Sequence, residues 1–346
     1  MPDTMVDPKV INAAVELACR APSLHNSQPW RWVSDSAGLH LFADPTRKVQ
    51  VADPSGREAL ISCGAVLDHL RVAMAAAGWS AHVDRFPNPN NLKHVASIDF
   101  RTMDFVTDGQ RERADAILRR RTDRLPLAEP TNWTAFEYAL RNTMCDAAVR
   151  LDVLTNVVRP ELAEASRIST TLRLYDSSYH AELEWWTSNI GSSEGIPRSA
   201  LVSATERERV DLERAFPVAD PQERRAAIDQ DRARILALST DADSREDAVR
   251  CGEALSTVLL ECTLAGMATC TLTHITEFPA GRGVIAALIG TSAFPQLLIR
   301  VGEAPAIEQA PPATGRRPLK DVLAWRAPPS SRRLRSGRDQ SQLIGD

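Results

Sequence analysis

The feature that most constrains the fold is an internal repeat of two 22-residue segments. "REALISCGAVLDHLRVAMAAAG" (57–78) and "REDAVRCGEALSTVLLECTLAG" (245–266) align without gaps, 188 residues apart. Both begin with Arg-Glu, have Cys-Gly six residues after the arginine and end in Ala-Gly. Their apolar residues recur at helical spacing, which predicts two long amphipathic helices. Chance similarity between two such helices is the alternative explanation.

The repeat indicates a chain of two related halves, as fusion of a symmetric homodimer would produce. We place the first half at 1–108 and the second at 109–326, and we expect a monomer that mimics a homodimer. Helical segments alternate with strand-like segments such as "HVASIDF" (94–100), so we predict an α+β fold. We expect the tail at 327–346, which contains "RRLRSGR", to be disordered and basic.

Composition excludes several classes of function. The net charge is −4, so no basic excess points to nucleic acid. We find no run of about 18 apolar residues, and we expect no membrane partner. The N-terminus lacks a secretory pattern, so we expect a cytoplasmic protein. The six cysteines never form C-x-x-C, which favours buried thiols over disulfides or a metal site.

The stretch "APSLHNSQPW" (21–30) lies between a predicted helix at 8–20 and a predicted strand at 29–34. Its two prolines bracket a run of hydrogen-bonding side chains: Ser23, His25, Asn26, Ser27 and Gln28. Proline ends a helix, and serine and asparagine satisfy backbone groups in turns, so a polar turn is one interpretation. A cradle for a polar ligand is the other.

Positive charge collects at two places. "RRRTDR" (119–124) follows a charged helix, and Arg316–Arg317 lie in "TGRRPL" near the C-terminus. Guanidinium groups bind phosphate oxygens in a forked geometry, so both clusters suit a phosphate-bearing cofactor. The alternative for each is a solvated helix end.

Two competing motifs lack the structural context that they need. "GRGVIA" (281–286) imitates a dinucleotide fingerprint but follows no convincing strand. "GSSEG" (191–195) matches a nucleophile elbow, yet no strand-to-helix turn is predicted around Ser193. A serine hydrolase, which would be a colourless protein, remains a hypothesis beside the two that are given below.

Taken together, these segments resemble the nitroreductase family of flavoproteins. The resemblance rests on "RRTDR" (120–124), "APSLHNSQPW" (21–30), "AGMATCTL" (265–272) and "GRRPL" (315–319). The order, with A-P-S ahead of R-R-T, is similar to that of the Acg-type proteins of mycobacteria, which are linked to hypoxia and dormancy. That subfamily implies a nitroreductase-like pseudo-dimer with a lid insertion, which we place at about 176–245.

The resemblance implies FMN as the cofactor. It assigns the phosphate to Arg120, Arg121 and Thr122, with Arg316 and Arg317 closing over it and Arg124 nearer the ring. It assigns the ring edge or ribityl chain to Ser23, Asn26 and Gln28, with backbone contributions from His25 and Ser27 and packing by Pro22 or Leu24. Backbone amides near Met267 and Ala268 would reach the ring edge.

The resemblance also implies the activity. An accessible flavin would take hydride from NAD(P)H and reduce nitro compounds or quinones, with no side-chain acid or base strictly needed, so we nominate no catalytic residue. The alternative is a protein that sequesters or stores FMN behind its lid with little or no turnover.

Overall fold

The computed structural model describes residues 6–144, 146–188, 193–217, 223–307 and 312–326. The helices are α1 (Pro8–Ala18), α2 (Arg57–Ala76), α3 (Asp108–Arg119), α4 (Trp133–Thr143), α5 (Arg159–Leu172), α6 (Ser177–Ser188), α7 (Ala204–Glu208), α8 (Arg245–Leu264), α9 (Pro279–Ile289) and α10 (Leu319–Val322). The strands are β1 (Trp30–Asp35), β2 (Gly38–Ala43), β3 (Trp79–Arg85), β4 (His94–Thr102), β5 (Val149–Leu154), β6 (Arg234–Thr240), β7 (Ala268–Leu272), β8 (Phe294–Gly302) and β9 (Leu323–Trp325).

The two repeat segments form α2 and α8, and these helices pack tightly against each other at the centre. A Cβ atom added to Gly64 would lie 1.9 Å from the Val249 carbonyl oxygen, and one added to Gly252 would lie 1.9 Å from that of Ile61. The glycines occupy equivalent repeat positions, as do Ile61 and Val249. The contact is therefore reciprocal, as a two-fold relation between the helices requires.

A short polar network lies further along the same contact. The Ser256 hydroxyl donates to a carboxylate oxygen of Asp68 across 2.6 Å, and His69 Nδ1 lies 2.8 Å from the same hydroxyl. All three side chains are buried. Asp68 and Ser256 are also equivalent positions of the repeat.

Each half has its own sheet. The first sheet has the order β3-β4-β2-β1-β9 and the second the order β5-β6-β8-β7. All pairs are antiparallel except β1 with β9. β9 comes from the end of the second half and completes the sheet of the first, so the C-terminal segment of the described chain crosses between the halves.

Most of the predicted helices and strands are confirmed, but the C-terminal limit of the predicted lid, at 245, is wrong. Residues 234–240 form β6, which is almost wholly buried between β5 and β8. A strand with neighbours on both sides belongs to the sheet, so an insertion over the site can only come before it.

One helix, α2, is long and apolar enough to span a membrane, although we expected no such segment. By length and composition α2 could span a membrane, with a mean hydropathy of 1.4 over its window, but 78% of that window is buried in the protein. Its apolar surface is covered largely by α8 and α1. Five cysteines are free and buried, as predicted; Cys145 and the predicted tail lie outside the described residues.

Candidate functional site

Two adjoining cavities lie where the halves meet. The first encloses about 850 Å³ and the second about 1590 Å³, counting open solvent at their mouths. They share the lining residues Pro22, Ser23, Thr122, Arg124 and Ile196. A ligand could therefore extend from one cavity into the other.

The segment 21–30 forms the shared wall, with an unusual backbone. His25, Asn26 and Gln28 have φ values of 51°, 57° and 51°, in the left-handed region that residues other than glycine rarely adopt. Strained backbone of this kind concentrates at ligand sites. Pro22, Ser23 and His25 line the first cavity, and Asn26 lines the second.

Ser27 and Gln28, which we expected to touch the ligand, line neither cavity. The Gln28 amide instead donates to the Ser193 carbonyl oxygen (2.8 Å) and accepts from the Arg317 backbone N–H (2.9 Å). The Ser27 carbonyl oxygen accepts from Arg47 Nε at 2.7 Å. Both residues are buried and hold the strained segment in place.

The second cavity is rich in arginine. Arg20, Arg120, Arg121 and Arg316 line it, and none of them forms an ion pair with a carboxylate among the described residues. Burial, with the nearby Arg121 and Arg20, lowers the pKa of Arg120 to about 10. Burial, with Arg120 and Arg20, lowers the pKa of Arg316 to about 9. A cluster of cations that repel one another favours the binding of an anion among them.

The arginines reach this cavity from three elements. Arg120 follows the end of α3, whose start is fixed by a capping box at Thr107. Arg316 comes from the C-terminal segment, where its guanidinium donates to the Cys19 and Arg20 carbonyl oxygens at 2.9 and 3.0 Å. Arg20 follows α1 and was not among the predicted residues, because a single arginine beside "APS" forms no motif.

Arg317, which the resemblance also assigns to the phosphate, does not line the second cavity. Its guanidinium donates to the carbonyl oxygen of Asp321 at 2.8 Å and lies 3.4 Å from that of Trp30. Of these two adjacent arginines, Arg316 lines the second cavity and Arg317 does not.

Met267 and Ala268, which the resemblance assigns to the ring edge, line neither of the two cavities. Met267 lines a separate depression with Ala128 and Thr131, and Ala268 lines none of the cavities described. The part of β7 that reaches the first cavity is its other end, followed by the turn at 273–274. The strand "ATCTL" is five residues long, so its two ends serve different surfaces.

The segment before β6 covers the first cavity. Ile196, Glu213, Arg214 and Phe216 line it, and Arg124 lies over the Phe216 ring at 5.2 Å from the centroid. Arg214 forms an ion pair with the buried Glu277 and donates to the Tyr179 hydroxyl at 2.8 Å. These contacts fasten the segment over the cavity.

Ionisable groups in the first cavity are strongly perturbed, chiefly by burial. Burial lowers the pKa of His274 to about 3 and holds the pKa of His25 well below its ordinary value. Burial raises the pKa of Glu58 to about 8 and that of Glu213 to about 7. Perturbed groups in one cavity are typical of a reaction site.

Six buried polar atoms at the cavities have no hydrogen-bond partner among the described residues. Two of them, His25 Nδ1 and His274 Nδ1, lie at the first cavity, and four lie at the second: Arg20 Nε, Asn26 Oδ1, Arg120 Nε and Arg225 Nε. Buried polar atoms are nearly always hydrogen-bonded, so these atoms indicate a missing partner. Ser193, the nucleophile of the hydrolase hypothesis, lines neither cavity.

Comparison with known proteins supplies the family. No protein-family model matches the chain. The Mycobacterium tuberculosis protein named "Putative NAD(P)H nitroreductase acg" is 59% identical over 327 residues, which cover 94% of this chain and 99% of that protein. A second M. tuberculosis protein described in the same words, Rv3131, is 35% identical over 330 residues, 92% of each chain.

A solved structure supports the fold. The "putative nitroreductase" of Anabaena variabilis superposes with a TM-score of 0.51 over 88% of this chain and 91% of that one, at 8% identity. The resemblance is one of fold alone, since so low an identity says nothing about ligands. The alignment with the mycobacterial relatives extends along nearly their whole length, and on that basis the chain belongs to the nitroreductase family, in the group that contains Acg.

Proposed function

We propose that the protein binds one FMN across the two cavities and is an NAD(P)H-dependent oxidoreductase that reduces nitro compounds or quinones. The observation that carries the proposal is the cluster of arginines without carboxylate partners in the second cavity, next to the partly apolar first cavity. The arrangement matches a ligand with an anionic end and a flat, polar-edged ring. The mycobacterial relatives are named as NAD(P)H nitroreductases, which supports the same conclusion.

The residues present fit FMN at both ends. Its phosphate has nearly two negative charges, and four arginines surround the space where an anion would bind. The partnerless Nε of Arg120 is a donor, and the partnerless Oδ1 of Asn26 is an acceptor for a ribityl hydroxyl. Pro22 and Leu255 line the first cavity and would supply apolar contact to the ring.

FMN, when bound, would accept hydride from the nicotinamide and pass two electrons to the acceptor. The chain's own residues perform the other tasks. Arg120 and Arg316 would hold the phosphate, and Thr122 lies between the two cavities. Arg124 is partly buried and lines the first cavity, where a cation would stabilise negative charge. The covering segment 193–217 would exclude water.

We do not favour the alternative, FMN storage behind a closed lid, because the relatives are named for an activity. The corrected lid comprises the described residues 176–188, 193–217 and 223–233 rather than the whole of 176–245. As a proposal, this lid opens for the nicotinamide. We also propose that the chain is a fused pseudo-dimer, that it binds a single flavin and that it has a role in hypoxia and dormancy.

The absorption spectrum of the purified protein tests the proposal. We expect a yellow protein with flavin bands that bleach on anaerobic addition of NADPH or NADH. A yellow protein that stays oxidised under both nucleotides would favour storage. A colourless protein that cannot be reconstituted with FMN would overturn the proposed function altogether.

A further inference from the structure

We propose that Glu213, a carboxyl group of the lid, is the proton donor for the molecule reduced in the first cavity. The inference rests on the proposed function, because it assumes that the ring and its electron acceptor meet in that cavity. It assigns a chemical role to the lid beyond covering the site.

The first observation is the position of Glu213. Its side chain lines the first cavity and faces cations from three elements. Arg207 of α7 donates from Nε to the Glu213 carboxylate at 2.9 Å, and the electrostatic influence of Arg300 on β8 and of Arg124 reaches it as well. On the lid itself, the backbone carbonyl of Glu213 accepts from the Ser166 hydroxyl at 3.3 Å. The carboxyl is therefore held at a fixed point of the cavity wall.

The second observation is that few other groups in this cavity can release a proton. His25 and His274 are buried and neutral near pH 7, since burial lowers the pKa of each. The Cys270 thiol has a raised pKa for the same reason, and arginine keeps its protons. Among the described lining residues, two carboxyl groups remain, Glu58 and Glu213.

Contact with solvent distinguishes the two carboxyl groups. The Glu58 side chain is 4% exposed, and its carboxylate accepts a hydrogen bond from Arg57 Nη2 at 2.5 Å. The Glu213 side chain is 12% exposed, and its partner Arg207 is 30% exposed. A proton donor has to be recharged after each turnover, and Glu213 has the better access to water, because its side chain is more exposed than that of Glu58 and its partner Arg207 is more exposed than Arg57, which is 13% exposed.

The step balances for a quinone. Hydride derived from NAD(P)H brings two electrons and one proton to the acceptor. The O–H bond of the Glu213 carboxyl breaks as a new O–H bond forms on the second quinone oxygen, which gives the hydroquinone. The resulting carboxylate then recovers a proton from solvent at its Arg207 side. A nitro group needs the same proton to release its first oxygen as water.

Replacing Glu213 with glutamine tests the inference. In the flavin-loaded wild type, kcat for quinone reduction should fall as the pH rises through about 7, because the protonated carboxyl is the active form. Glu213→Gln should lower kcat at pH 7 by about a hundredfold, leave KM nearly unchanged and abolish this pH dependence. Glu208→Gln, an exposed carboxyl of the same lid, is the matched control and should behave as the wild type.

A readout other than activity is the number of protons taken up when bound flavin is reduced with dithionite in weak buffer. The negative charge of reduced flavin should raise the pKa of the neighbouring carboxyl, so the wild type should take up more protons near pH 8 than Glu213→Gln. Equal uptake and an unchanged pH profile in a yellow Glu213→Gln protein would overturn the inference and leave the proposed function intact.

A second variant keeps the test decisive if Glu213→Gln folds poorly. Arg207→Gln removes the cation closest to the carboxyl, so the pKa of Glu213 should rise further and the falling limb of the profile should move to higher pH. An unshifted limb in Arg207→Gln would count against Glu213. A profile abolished by Glu58→Gln would assign the proton to Glu58 instead.

Discussion

At the scale of single residues, the arginines of the second cavity illustrate how much a motif can predict. Arg120, Arg121 and Arg316 were predictable because paired guanidinium groups beside threonine or glycine suit a phosphate. Arg20 was not, since its contribution arises only when α1 and the C-terminal segment meet. Arg317 shows the converse: sequence cannot say which of two adjacent arginines faces inward.

Removal of a cavity arginine should weaken FMN binding. Arg120→Ala and Arg316→Ala should each lower the affinity about 10- to 150-fold, because each loses a charge-assisted contact of about 1.5–3 kcal/mol. Fluorescence titration of the flavin-free protein with FMN measures the change.

Arg317→Ala is the comparison, since its guanidinium contacts carbonyl oxygens outside the cavity. It should lower the affinity less than Arg316→Ala does. Equal losses for these two adjacent residues would mean that the phosphate lies elsewhere.

At the scale of elements, long periodic segments were predictable and the strand β6 was not. α2 and α8 are each 20 residues long, and their apolar residues recur at helical spacing, so the local sequence alone predicts them. β6, "RILALST", is buried on both faces, so it lacks the alternation of a half-exposed strand, and it lies within a charge-rich stretch. Its identity depends on pairing with β5 and β8, which no local pattern reveals.

The reciprocal glycine contact gives a prediction about helix packing. Gly64→Ala and Gly252→Ala should each destabilise the protein by about 1–3 kcal/mol or more, because the added methyl group would overlap a backbone carbonyl and force the helices apart. Denaturant unfolding measures the loss.

Gly283→Ala in α9 is the matched control, because nothing lies within 4 Å of the added atom. It should stabilise the protein by about 0.5–1 kcal/mol, the usual advantage of alanine over glycine inside a helix. If Gly64→Ala were as stable as this control, the close approach of α2 and α8 would be refuted.

At the scale of the whole molecule, buried neutral histidines should make stability sensitive to acid. The pKa of His274 is about 3 in the folded state against 6.5 for an exposed imidazole, so below pH 6.5 only the unfolded chain gains the proton. The contribution of neutral His274 to the free energy of unfolding is therefore fully present above pH 6.5. It declines as the pH falls, and about 2 kcal/mol is lost at pH 5 from this residue alone.

Unfolding measured at pH 7.5 and pH 5 checks this prediction. His274→Gln should reduce the difference between the two pH values by about 2 kcal/mol. His82→Gln, at an exposed position on β3, should leave the difference as in the wild type. An identical pH dependence in both variants would show that His274 is not buried in the neutral form.

The Asp68–Ser256 hydrogen bond has a consequence for how such a molecule can evolve. In a true homodimer these equivalent positions would hold the same residue, so two carboxylates or two hydroxyls would face each other, and every substitution would act twice. In the fused pseudo-dimer that we propose, both copies belong to one gene and that constraint disappears: a donor can arise on one side and an acceptor on the other. The contact between α2 and α8 can thus change on one helix at a time, and the two halves of the molecule are free to specialise for different tasks.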